Sequence, residues 1–236
     1  MIRVMLSEFI KIKRKLILFL IILGPLGVIG LQAANFGLRY DWLTSQYKED
    51  LWGGLIGEVT MLSVPTILIG LTILTSMIAN IEHQTNAWKQ LVALPVSKMK
   101  IFAGKALLSF ILLFMSCLFL FFGTIVLGIC LRYGTDIPLL YLMKMCFFPF
   151  LAAMPFLALQ TWLAISMKNQ AIPLTTGILG TIVSLYATGF PDWMPLKWPW
   201  LVNEWDEPVY SVLFGIVTGL GLYSLSLIDF SRRDVK

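Results

Sequence analysis

The chain has 236 residues, of which 58% are apolar and only 13% charged, with a formal net charge of +5. Soluble domains average roughly 45–50% apolar and about 25% charged, so the composition excludes an ordinary soluble enzyme and points to the membrane. The modest positive charge is unevenly placed and reads as an orientation signal, not as a nucleic-acid footprint.

The first fourteen residues carry apolar side chains at Ile2, Met5, Leu6, Phe9 and Ile12, with Glu8, Lys11 and Arg14 on the other face. They predict a helix lying in the interface; a plain basic anchor explains the same charges. A spanning helix needs about 20 apolar residues, because the bilayer core offers no partners for its backbone. Six segments qualify: about Leu16 to Gln32, Thr60 to Asn80, Phe102 to Leu131, Leu139 to Met167, Ala171 to Phe190 and Ser211 to Ile228. The first is expected to be a true span and not a cleaved signal, since Gly24-Pro25 falls mid-run and not at a small-residue exit. The fourth contains Lys144, Pro149 and Pro155, which predict a kink or break. The fold expected is all-α, one transmembrane unit over residues 1–236.

With the N-terminus in the cytoplasm, the inner segments gather most of the basic residues, from Arg3 and Lys11 through Lys98, Lys100 and Lys105 to Arg232 and Lys236. Acidic residues such as Asp41, Glu58, Asp136, Asp192 and Glu204 fall outside. This is a positive-inside bias with both termini cytoplasmic. Lys144 either points into the bundle, toward Glu58, or snorkels to the outer headgroups. Trp193, Trp198 and Trp200 lie in the outer loop before the last span, where they either anchor at headgroup level or contact a substrate. The Gly, Ser and Thr residues of the fifth segment permit close helix packing or line a path.

The inner connection 81–100 is the longest. Glu82 to Ala93 can form a short helix, stopped by Pro95, and Ser97 can cap the helix that follows. Such a helix-turn-helix suits docking into a groove on a soluble partner. A carboxylate at the start of that helix would also favour its positive end. Several chemistries are missing. No phosphate-loop motif exists for ATP. His83 stands alone, so no metal site is expected. No Gly-x-Ser-x-Gly elbow or intramembrane carboxylate pair is present. Cys117, Cys130 and Cys146 sit in apolar runs and read as small buried side chains.

Glu82, the run Trp88-Lys89-Gln90-Leu91-Val92-Ala93-Leu94-Pro95-Val96-Ser97-Lys98 and Gly104-Lys105 resemble the permeases of type-2 ABC exporters. In them an acidic residue closes the second span ahead of a coupling helix, and the start Glu8-Phe-Ile-Lys11 looks like their interfacial elbow. Trp88-Lys89, Leu159-Gln160 and the Trp-rich stretch look like the lantibiotic-immunity and bacitracin-resistance subgroup. The resemblance implies a bacterial plasma-membrane exporter of an amphipathic antimicrobial peptide. It also implies two cytoplasmic ATPase subunits, which hold the ATP and Mg, and a second identical or related permease. Glu82, His83, Trp88, Lys89 and Pro95 would then couple to the ATPase, and Lys144, Trp193, Trp198 and Trp200 would face substrate. Membrane lipids are the remaining partner and no nucleic acid is expected. The alternatives are a membrane-embedded hydrolase or lipid transferase, and a non-transporting scaffold or sensor.

Overall fold

A computed structural model describes residues 2–12, 16–84 and 97–232. Within them the regular structure is entirely helical. α1 (Ile2–Ile12) is the amphipathic opening. α2 (Ile17–Leu38) has 22 residues, about 33 Å at 1.5 Å each, matched to a hydrocarbon core of about 30 Å. The short α3 (Tyr40–Gln46) leads to α4 (Leu51–Gln84), the 34-residue central helix. α5 (Lys98–Cys130) has 33 residues and opens on Ser97, whose hydroxyl accepts from the Lys100 N–H as its sequence position predicts.

α6 (Leu139–Ala152) and α7 (Met154–Ser166) form one bent pair, with 42° between their axes. Pro155 has no N–H to give Leu151, four residues back, and Pro149 likewise has none to give Met145. The bend therefore falls between the two prolines. α9 (Pro208–Arg232) fits this bend because it carries glycines there. A Cβ on Gly215 would lie 2.6 Å from the Ala152 Cα, and one on Gly219 would lie 2.9 Å from the Met154 carbonyl carbon.

Among the described residues, four helices are long and apolar enough to cross a membrane, and five crossings result when the bent pair counts as one. The fifth expected span is shorter than the sequence suggested. α8 (Ala171–Ser184) has 14 residues, about 21 Å, and a 3-10 turn at Ala187–Gly189 replaces its expected continuation to Phe190. The Trp200 indole donates to the Ser184 carbonyl at 2.7 Å and to its hydroxyl at 3.0 Å. It takes the carbonyl that the next helical turn would have used. Removing that donor leaves the carbonyl short of a partner at a cost of about 1–3 kcal/mol. Trp200→Phe should therefore lower the unfolding temperature in detergent, whereas Trp193→Phe, at an exposed position, should leave it unchanged.

Candidate functional site: a buried square of charges

At the end of the bundle where α4 stops and α5 begins, four charged side chains meet. α1 brings Glu8 and Lys11, one turn apart; α4 brings Glu82 from its last turn; α5 brings Lys105 from its second turn. Lys105 lies 2.8 Å from Glu8 and 2.6 Å from Glu82. Lys11 lies 2.5 Å from Glu8 and 2.9 Å from Glu82. Signs alternate around the square, so every neighbour is an opposite charge. Glu82 and Lys105 are each 1% exposed and Glu8 is 3% exposed; only Lys11 reaches water appreciably. Buried Ile12 and the partly buried Phe9 tie α1 to the apolar core around α4 and α5.

Burial works against the charged form of Glu8, but Lys105 and then Lys11 outweigh it and hold the carboxyl below its ordinary value of 4.5. Burial likewise opposes charge on Lys11, and Glu8 followed by Glu82 overcome it, raising the ammonium above 10.5. The lowered glutamate contributes stability above its ordinary value, and that contribution disappears as pH falls through the lowered one. The raised lysine contributes below 10.5 and is lost only as pH climbs past its raised value. A spin label at exposed Ser7 should therefore show constant mobility through neutral pH and loosen only on acidification below the glutamate range. Loosening within the neutral range would contradict the pairing.

Glu82 sits in the last turn of α4 and not in the first turn of a separate helix, because α4 continues to Gln84. A carboxylate there faces the negative end of the helix dipole, the reverse of the sequence expectation. Two ammonium groups of its own chain offset that cost. His83 turns the other way: its ring lies 3.1 Å from the Ala164 carbonyl, so the Nε2–H donates. The Gln170 amide nitrogen donates to the same carbonyl at 2.9 Å and to that of Met167 at 2.8 Å. Together they satisfy the Ala164 carbonyl in the last turn of α7. Trp88, Lys89 and Pro95 lie outside the described residues. Glu8 and Lys105 entered the sequence reading only through charge placement and the family resemblance, with no site role. The available signals were the i,i+3 spacing of Glu8 and Lys11 and a lysine seven residues inside an apolar helix.

The residues expected to face substrate are dispersed. Lys144 is half-buried on α6, and among the described residues no ion pair joins it to Glu58, whose carboxylate accepts from the Tyr47 hydroxyl at 2.9 Å. Trp193 is 75% exposed. Trp198 is buried and donates to the Asp192 carbonyl at 2.6 Å, inside a loop pinned by the Lys197–Asp192 ion pair at 2.6 Å. The Lys197 ammonium, then the Glu204 N–H, hold the Asp192 carboxyl below its usual range. Buried Gln160 reaches into α8, donating to Pro173 O at 3.1 Å and accepting from Gly177 N at 2.9 Å, where Gly177 leaves room for it.

A family model described as an ABC-2 family transporter protein matches residues 4–184. The match takes in α1 through α8 and hence every corner of the charge square. No curated protein and no solved structure matches. Permeases of this family generally pair with an ABC ATPase, which carries the hydrolytic step. With its long apolar helices and a family match over well more than half its length, the chain belongs to the ABC-2 transporter family, as a multi-pass membrane subunit without a catalytic domain of its own.

Proposed function

We propose that this chain is the permease of an ATP-driven exporter that removes an amphipathic antimicrobial peptide, of lantibiotic or bacitracin type, from the membrane. The charge square supports this reading. Glu82 lies three residues before segment 85–96, and Lys105 follows it on the helix capped by Ser97. The helices on either side of segment 85–96 therefore both contribute to one buried, neutral cluster. A force applied to that segment by two cytoplasmic ATPase subunits passes into α4 and α5 together, and through Glu8 and Lys11 into α1. Each half of the square is itself neutral: Glu8 with Lys11 on α1, and Glu82 with Lys105 between the spans. The halves can therefore shift against each other without stranding a net charge in a medium where that costs several kcal/mol.

The basic residues at this end favour a cytoplasmic placement of both termini, with α8 as a short sixth crossing beside α4. A second copy or a related permease completes the pathway. Peptide contact is assigned to the exposed Trp193, which borders a cavity of about 430 Å³ with Gln160, Thr72 and Thr176 on its wall. Lys144 stands at the outer side. Trp198 and Trp200 serve the same face by holding the loop that carries Trp193.

The test is protection of cells against the peptide, with the chain expressed together with the ATPase encoded beside it. Protection that requires both proteins and an intact ATP site is expected. Protection by the chain alone, independent of ATP, would favour a scaffold or sensor.

A further inference from the structure

α5 presents Ala103, Ala106, Leu107 and Phe110 toward a cavity of about 460 Å³. This is the i, i+3, i+4, i+7 spacing of one helical face. α7 supplies the same spacing from Met154 to Thr161, and α9 supplies it from Ile216 to Tyr223. Three helices thus give one stripe each to a slot that is almost wholly apolar. The Thr161 hydroxyl is turned back to the Leu157 carbonyl at 2.7 Å, so it adds little polarity. The Tyr223 ring at the edge of the slot packs on Phe102, centred 5.6 Å away, and Phe102 in turn lies 5.7 Å from Phe230.

Basic residues lie beyond the Tyr223 end of the slot. The same three helices end there in basic residues: Lys98 and Lys100 open α5, Lys168 follows α7, and Arg232 closes α9. Lys100 continues the slot-facing stripe of α5 by one turn, three residues before Ala103, and is exposed. The one nearby carboxylate among these described helix ends, Asp229, accepts from the Trp162 indole at 2.7 Å. A cationic peptide is disfavoured by such a rim. An apolar chain carrying a negative head is favoured.

We propose that the slot between α5, α7 and α9 holds one acyl chain of an anionic phospholipid, whose phosphate rests against Lys100 and its basic neighbours. The slot shares α7 and α9 with the cavity beside Trp193 and α5 with the charge square, but none of its lining residues belongs to either. It requires membrane insertion but no ATPase, so it can be tested on the full chain alone.

The experiment is native mass spectrometry of the chain purified in mild detergent, with phosphatidylglycerol or phosphatidylcholine of matched chains added back. One phosphatidylglycerol per chain should be retained in preference to phosphatidylcholine. Ala106→Phe, which fills the slot, should abolish retention of both. Lys100→Gln, a surface change that leaves the slot open, should weaken phosphatidylglycerol about fivefold and leave phosphatidylcholine unchanged. Equal retention of the two lipids would overturn the proposal. So would wild-type retention by either variant, or displacement of the lipid by a cationic peptide.

Discussion

Glu82→Lys should abolish transport while the protein still inserts in the membrane. The substitution places three cations around Glu8, in a pocket where Glu82 and Lys105 are each 1% exposed. Breaking a buried pair by removing one partner costs about 3–5 kcal/mol, and a like charge in its place adds repulsion. The disruption falls at the joint of α1, α4 and α5, while the long apolar helices that drive insertion are unchanged. Replacing Glu82 and Lys105 together by Leu and Met separates stability from coupling. That pair removes one acid and one base, leaves Glu8 with Lys11, and restores thermal stability to near the parent. Transport should stay low, because α1 then lacks its ionic ties to the spans. Peptide-protection assays alongside melting curves in detergent check both halves. A Glu82→Lys protein with full protection and a normal melting curve would rule out the square as a coupling element.

Gly215→Leu should damage the fold itself. The added Cβ alone would meet the Ala152 Cα and carbonyl oxygen at 2.6 Å, and these are backbone atoms that cannot rotate away. Overpacking of this kind typically costs about 1–3 kcal/mol, and the larger Leu side chain belongs at the upper end. α9 would have to leave the bend between α6 and α7. Size-exclusion and melting measurements should show a less stable protein with a lower folded yield. Gly221→Ala, where a Cβ meets nothing within 4 Å, should be neutral.

Much of this architecture could be read in the sequence because its signals are local. Pro149 and Pro155 act within a turn of themselves, so the bend of the fourth segment was legible. Ser97 caps the residues directly after it, so the start of α5 was legible too. Glu82 drew attention in the sequence by its place after a long apolar run, though its burial among charges did not show there. Its partners were not legible, because Lys11 and Lys105 stand on two other helices and meet Glu82 only when three helix ends converge. An isolated lysine near a span end looks the same in sequence whether it faces headgroups or a buried carboxylate. The tryptophans show a similar limit. Composition places all of them at an interface, yet packing turns Trp198 inward and uses Trp200 to stop α8, while Trp193 stays outside. The length of α8 depended on that tertiary hydrogen bond and not on its own apolar run.

In the proposed mechanism the Glu8–Lys11–Glu82–Lys105 square passes an ATPase's motion into the spans. The direct measurement is peptide-stimulated ATP hydrolysis by the chain purified with its ATPase, compared with the Glu82→Leu, Lys105→Met double variant. Both complexes should assemble and hydrolyse ATP at a similar basal rate, and only the parent should respond to peptide. A double variant that binds its ATPase and is stimulated as strongly as the parent would contradict the mechanism.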